Sequence, residues 1–437
     1  MSIKPYPKYK PSGIAWLPRI PDGWAISPLK RLVNQLNEKP ELGANAGEYV
    51  GMENIESFSG KWIPGSSDED PSGGGNIFKS GDVLFGKLRP YLAKAWHANR
   101  NGLCSSELLV LRPRLIDGRF LLHQVLNQEF ITLVDSSTYG SKMPRASWDF
   151  IGAIQLPVPP RDEQKVIATF LDRETAKIDT LIAKQEKLIN LLREKRQAVI
   201  SHAVTKGLDP TVQVKPSGVE WLGDVPKGFQ VIRLKHASPE ITVGIVVEPS
   251  KYYVEDGVQC FRSLNVRKMR LVAENLVYIS AESNEQLKKS MLRSGDLVAV
   301  RTGQPGTTAV VDEEFDGTNC IDLIIIRRSD KYLSKYLGYF LNSDAAIMQY
   351  AAGSGGAIQQ HFNVETAGNL IITLPSIPDQ ERIVSYLDKA TSQFDCLIGK
   401  AEQAISLQKE HRTALISAAV TGKIDVRESA VDLQEAA

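Results

Sequence analysis

Side chains able to do chemistry are plentiful in this 437-residue chain, but few stand at spacings that make a catalytic site. Gly86-Lys87 and Gly422-Lys423 are followed by Leu88 and Ile424, so neither forms a phosphate loop, which needs Ser or Thr after the lysine. No His-Glu-x-x-His, Gly-x-Ser-x-Gly or Asn-Pro-Pro-Tyr occurs, and no Gly-x-Gly-x-x-Gly follows a strand. The carboxylate runs Asp68-Glu69-Asp70 and Asp312-Glu313-Glu314 sit in Gly- or Ser-bearing loop sequence and read as solvated charge. Cys104, Cys260, Cys320 and Cys396 lie far apart, with neither Cys-x-x-Cys spacing nor a nearby His pair. They read as reduced, partly buried thiols, neither a zinc site nor a disulfide framework. The chain reads as non-catalytic, with no metal and no cofactor of its own.

The residues that do suit a task suit recognition, and they occur in two sets. Gly81-Asp82-Val83-Leu84-Phe85 reads as a strand running into Gly86-Lys87-Leu88-Arg89-Pro90-Tyr91, and Gly295-Asp296-Leu297-Val298 runs towards Arg301-Thr302-Gly303-Gln304-Pro305-Gly306. Each strand delivers cations into a Gly/Pro turn. Arginine can bond guanine and glutamine adenine bidentately, while glycine lets backbone approach phosphate. Further polar loops follow, Tyr139 to Arg145 and Gly353 to His361. The candidate DNA contacts are Lys87, Arg89, Tyr91, Lys142 and Arg145 in the first half, and Arg262, Asn265, Arg301, Thr302, Gln304, Gln359 and Gln360 in the second. Basic residues cluster locally around both sets, Lys87, Arg89, Lys94 and Arg100 in one and Arg262, Arg267, Lys268 and Arg270 in the other.

The elements that must position these loops are themselves written twice. Lys10-Pro11-Ser12-Gly13-Ile14-Ala15-Trp16-Leu17 returns as Lys215-Pro216-Ser217-Gly218-Val219-Glu220-Trp221-Leu222, and Pro21-Asp22-Gly23-Trp24 as Pro226-Lys227-Gly228-Phe229. Short apolar runs punctuated by Gly and Pro predict an α+β fold, with two globular α/β domains, residues 1–157 and 207–375. Proline breaks then open two long helices, 158–206 and 376–422, the first roughly 65 Å long from Asp162 to Val204 at 1.5 Å per residue. Heptad spacing puts Leu171, Ile178, Leu181, Leu188, Leu192 and Val199 on the first seam, with Ile182 and Ile189 as a second apolar row. On the second helix the seam carries Ile383, Leu387, Phe394, Leu397 and Leu415. Helices of this length exceed one compact domain, so they space two domains or dock a partner protein, and the second apolar row leaves a face for such a partner. Residues 423–437 have no pattern and read as a disordered tail.

With 52 basic against 51 acidic residues, the chain has no overall pull towards polyanions, so any nucleic-acid surface must be local. The Lys- and Pro-rich start has no apolar run, which argues against a signal peptide or membrane span and for a cytoplasmic protein.

Taken in order, the doubled Lys-Pro-Ser-Gly-x-x-Trp-Leu, the Ser-Gly-Asp-[Val/Leu] strand, the proline break with Glu163-Gln164 or Asp379-Gln380-Glu381, and the helix ends Ala203-Val204-Thr205 and Ala419-Val420-Thr421 resemble specificity subunits of type I restriction-modification enzymes. The second break is offset from the first by about a residue. The resemblance implies two target-recognition domains, each reading half of a bipartite site in double-stranded DNA. It implies two long helices packed as an antiparallel coiled coil that hold the domains apart, set the spacer and dock two DNA methyltransferase subunits, with restriction/translocase subunits joining them. S-adenosylmethionine and ATP would belong to those partners. The competing reading is a non-catalytic two-module coiled-coil scaffold for protein interactions.

Overall fold

A computed structural model describes residues 4–40, 48–65, 75–352 and 362–428. The chain divides into two compact units, Met1–Glu186 with Glu402–Ala437, and Lys187–Ala401. The division cuts through both long helices, so each unit owns a length of each.

In the first unit the repeated motif forms an antiparallel hairpin, Tyr9–Ile14 with Leu17–Pro21, which bulges at Gly13 (φ 76°) just before its turn at Ala15-Trp16. The second unit repeats it with Val214–Pro216 and Asp224–Pro226 around Gly218 (φ 78°). Only glycine takes this left-handed conformation without strain. Each unit is centred on a four-stranded antiparallel sheet of one strand order. It runs Val33–Leu36, Leu108–Pro113, Val83–Gly86, Ala95–His97 in the first unit, and Ile241–Val243, Leu323–Ile326, Leu297–Val300, Thr308–Val310 in the second. Three of the four central strands, Val83–Gly86, Leu297–Val300 and Leu323–Ile326, are completely buried, and Leu108–Pro113 is buried from Leu108 to Leu111, as strands covered on both sides must be. Helix Gly118–Val125 covers the first sheet, with Asp117 capping it by accepting from the Arg119 and Phe120 N–H groups. Ser334–Leu341 is its counterpart in the second unit.

The Ser-Gly-Asp motif has a structural job. Asp82 is 1% exposed and accepts two hydrogen bonds of 2.8 Å from Arg112 on the neighbouring strand, plus one from the Lys79 N–H. Asp296 is fully buried and accepts from Arg327 at 2.5 Å and from the Arg293 and Arg328 N–H groups. One carboxylate in each unit thus ties the turn before a core strand to the strand beside it.

The proline breaks open the central helix, Arg161–Lys206, and the distal helix, Ile377–Val420. Buried Gln164 accepts from the Asp117 N–H and donates to the Pro159 carbonyl, at 2.8 and 2.9 Å. Gln380 does the same with Leu333 and Pro375, at the same distances. The two breaks therefore align at glutamine, and the offset expected from Asp379-Gln380-Glu381 is corrected. About two turns later, Asp172 binds His123 (2.8 Å) and Arg119 (3.3 Å), while Asp388 binds Tyr339 (2.7 Å) and Lys335 (3.0 Å). Burial opposes ionisation of Asp172, but the hydrogen bond and charge of His123, with Arg119, outweigh it and hold its pKa below the ordinary aspartate value. A depressed carboxylate stabilises the fold above its unfolded pKa of about 3.9, and that contribution is lost as pH falls through the folded value. Asp172→Asn should therefore flatten the acid limb of stability against pH, measured by urea unfolding between pH 3 and 6. An unchanged limb would remove Asp172 from the balance.

Ion pairs show how the helices run. In the first unit Asp179 of the central helix meets Arg412 of the distal helix at 3.6 Å, and in the second unit Arg196 meets Asp395 at 3.2 Å. Within the first unit Leu171 shares a core with Val420, and within the second Val204 shares one with Ile383, so in each unit numbers rise along one helix as they fall along the other and the two lengths run antiparallel. Leu171, Ile178, Ile189, Ile383 and Leu387 are buried, and Ile182, Leu192, Val199, Phe394 and Leu415 are half-buried. Leu181 and Leu188 are 45% and 44% exposed and Leu397 is 48% exposed, which corrects their place on the seam. The inward positions between the apolar residues are held by Thr175, Thr391, Ile398 and Arg412. Along the central helix the inward positions keep the seven-residue repeat, and it is Ile182 and Ile189, one residue on from Leu181 and Leu188, that face inward.

The expected disordered tail is also corrected for its described part, residues 423–428. Val426 is fully buried in the core that holds Trp24 and Phe120, and the Asp425 N–H donates to the Lys4 carbonyl at 2.8 Å. Among the described residues no helix is long and apolar enough to cross a membrane.

Candidate nucleic-acid interface

In the first unit two loops are stitched into one surface. The Arg89 N–H donates to the Pro144 carbonyl at 2.8 Å and the Ala146 N–H to the Lys87 carbonyl at 3.0 Å. Tyr139 and Arg145 exchange both backbone bonds at 3.1 Å, closing the second loop on itself. Arg89 takes a left-handed conformation (φ 49°) ahead of the turn Pro90–Leu92, which places it at the corner where strand Val83–Gly86 ends. The Arg145 guanidinium lies flat on the Glu107 carboxylate, with two bonds of 3.0 Å and a raised pKa from that hydrogen bond and charge. It positions the loop and is not free for a base. Lys94 and Arg100 likewise serve the fold. The ammonium of Lys94 donates to the Met52 carbonyl at 2.6 Å, and Arg100 stacks 4.0 Å over Trp62 and pairs with Glu48.

What the surface presents outward is Arg89, Tyr91, Lys142, Tyr139 and Met143, with Lys87 half-buried behind them. Tyr139 and Met143 are 63% and 48% exposed, and the sequence reading passed over both. Large apolar residues in a loop of Gly, Ser and Pro were the available signal, since such a loop has no core to fill. Cations beside an exposed phenol and thioether can hold phosphate and press on a base edge or thymine methyl.

The second unit gathers its set around a depression of 600 Å³ lined by Thr302, Gly303, Gln304, Arg267 and Lys268, with Leu264 at its side. Gln304 and Lys268 are exposed, and the Lys268 ammonium is 3.3 Å from the Gln197 amide. Three predicted contacts are engaged elsewhere. Arg301 is paired to Asp322, and Arg262 donates to the Asn275 carbonyl at 2.7 Å. Asn265 is fully buried: it accepts from the Arg262 N–H and donates to the Val272 and Glu274 carbonyls. Asn54 holds the matching turn in the first unit, accepting from the Gly51 N–H at 2.8 Å. Asn265 is therefore a repeated turn brace, not a base reader. Gln359 and Gln360 lie outside the described residues.

Of the cysteines, Cys104, Cys260 and Cys320 are buried, and burial pushes the first two up to about 12, while Cys396 is exposed. Among the described residues no cluster of His, Cys, Asp or Glu could hold a metal ion.

Residues 49–191 match the model of the type I restriction modification DNA specificity domain. The specificity subunit of the type I restriction enzyme EcoKI from Escherichia coli is 23% identical over 435 residues, covering 93% of this chain and 90% of its own length. In sequence, this chain is similar to type I specificity subunits. The MjaVIII specificity subunit of Methanocaldococcus jannaschii is also 23% identical, over 75% of this chain and 76% of that one. Among solved structures, a chain from a study of type I restriction-modification assembly and conformational transition has a TM-score of 0.73 at 20% identity, covering 93% of this chain and 99% of itself. The HsdS subunit of Thermoanaerobacter tengcongensis has a TM-score of 0.51 at 20% identity, with 93% and 98% covered. At that identity the likeness is one of fold.

Proposed function

We propose that the chain is the DNA-reading subunit of a type I restriction-modification enzyme, each unit reading one half of a bipartite duplex site. The observation that carries this is the duplicated scaffold with unlike outward surfaces. Asp82 and Asp296, Asn54 and Asn265, and Gln164 and Gln380 repeat the same bonds, while the exposed tips differ: Arg89, Lys142, Tyr139 and Met143 against Arg267, Lys268, Thr302 and Gln304. One scaffold with two different polar tips suits two different half-sites. A protein-interaction scaffold would not need cations beside hydrogen-bonding side chains at both tips, and the similarity to type I specificity subunits favours the DNA reading.

The paired helices would dock two DNA methyltransferase subunits, with restriction/translocase subunits joining the assembly in the cytoplasm. S-adenosylmethionine and ATP would be bound by those partners, and this chain would supply sequence choice.

Reversing charge at Arg89 and Lys142 together should weaken duplex binding by the assembled methyltransferase more than tenfold. It should also reduce the slope of log affinity against log salt by about two, roughly 0.9 per phosphate contact. Tyr139→Ala should instead leave that slope and relax sequence preference. Binding and slope both unchanged in the double reversal would take this surface out of the interface.

A further inference from the structure

Each unit ends a long helix on the same seat. Gly422 (φ 71°) closes the distal helix against Pro21 and Trp24, and Gly207 (φ 75°) follows the central helix against Pro226 and Phe229. Beside each seat lies a pocket bordered by equivalent residues, Pro21 to Trp24 with Glu163 in the first unit and Pro226 to Phe229 with Asp379 in the second. The pockets differ in size, 250 Å³ against 420 Å³.

The difference has a visible source. In the first unit Tyr6 is 6% exposed, with its ring edge-on to Trp24 at 5.7 Å and its hydroxyl donating to Glu163 at 2.6 Å. The Trp24 indole N–H donates to the same oxygen at 3.1 Å, and Arg427 covers the Tyr6 ring at 4.9 Å. In the second unit the repeat puts Thr211 where Tyr6 stands, and Thr211 is exposed and turned back on Asp209 with bonds of 2.6 and 2.9 Å. Leu208 and Val212 stand exposed by 42% and 41% at the pocket. The carboxylate of Asp379 accepts from Ser376 at 2.6 Å and from Arg382, and a carboxylate has room for about four such bonds.

We infer that this second-unit pocket receives a tyrosine side chain from a partner protein, ring against Phe229 and hydroxyl on Asp379, as Tyr6 sits in the first. Lys206, Lys227 and Arg382 line the site against Asp209 and Asp379, leaving one cation in excess, so acidic residues would flank that tyrosine. The partner is the methyltransferase subunit, which makes the inference rest on the function proposed above. It gives the two docking events different strengths, because the first-unit pocket is filled by the chain itself.

Titration calorimetry of the full chain with its cognate methyltransferase subunit tests this. Two variants separate filling from charge: Thr211→Tyr, which offers the pocket an internal tyrosine, and Leu208→Glu, which places a carboxylate at the pocket. Each should weaken one of two binding events at least tenfold, with the melting midpoint of Thr211→Tyr not lowered. In the wild-type complex p-benzoylphenylalanine at position 208 should crosslink to a tyrosine-bearing acidic peptide of the methyltransferase. Both variants binding like wild type would overturn the inference and leave the function standing, as would a crosslink to a second copy of this chain or to a segment without an aromatic residue. No binding by the wild-type chain would bring down both readings.

Discussion

Replacing Arg327 with alanine should destabilise the second unit by about 3–5 kcal/mol, the usual effect of stripping one partner from a buried ion pair. Asp296 is fully buried and the Arg327 side chain is 7% exposed, so water cannot take over. The guanidinium also donates to the Met291 and Lys289 carbonyls at 2.8 and 2.7 Å, and both would lose their donor together. The repeat supplies an internal control. Arg112 makes the same pair with Asp82 but is 30% exposed, so Arg112→Ala should cost less, about 1–2 kcal/mol. Urea unfolding, with one fluorescent probe in each unit, would read the two effects separately. Equal losses, or a loss below about 1 kcal/mol for Arg327→Ala, would contradict the assignment of burial as the deciding difference.

Arg412 should be the most sensitive position on the helices. It is 7% exposed, donates to the Phe58 carbonyl and, at 2.6 Å, to the Ser59 carbonyl, and stands 3.6 Å from Asp179. Burial pushes its pKa down, though the charges of Asp179 and Glu56 oppose this. Arg412→Ala removes a buried cation together with the donors to two carbonyls, and about 3 kcal/mol of first-unit stability should go with it. Lys61 stays 2.8 Å from Asp179 and limits the damage to that carboxylate. Arg412→Lys keeps the charge but cannot span both carbonyls with a planar fork, so it should recover less than half of the loss. Full recovery by lysine would show that charge alone matters there.

Both positions mark where the sequence was hardest to read. Runs such as Val83-Leu84-Phe85 and Leu297-Val298-Ala299-Val300 announce buried strands, because apolar residues on both faces have one plausible home. The long helices were legible from their proline breaks and apolar period. Which of two adjacent apolar rows faces inward was not, since Thr175, Thr391 and Arg412 hold inward positions that a count of apolar residues scores as surface. Leu181 and Leu188 were placed on the seam for that reason. Polar residues misled in the opposite direction at the candidate interface. Asn265 and Arg145 have the right chemistry to read bases, but one braces a buried turn and the other is held by Glu107. A donor or acceptor in a loop can serve the backbone as readily as a ligand, and only its partners decide between them. Tyr139 and Met143 were missed because apolar residues default to the core, although here they stand in the open.

The account stands on each unit reading its own half of one site, and a genome-wide map of methylated adenines in the host tests that most directly. Deleting this gene should remove methylation from one two-part motif. Restoring the chain with Tyr139→Ala and Met143→Ala should return methylation with one half of the motif relaxed and the other half intact. A map unchanged by deletion, or one in which those substitutions loosen both halves together, would contradict it.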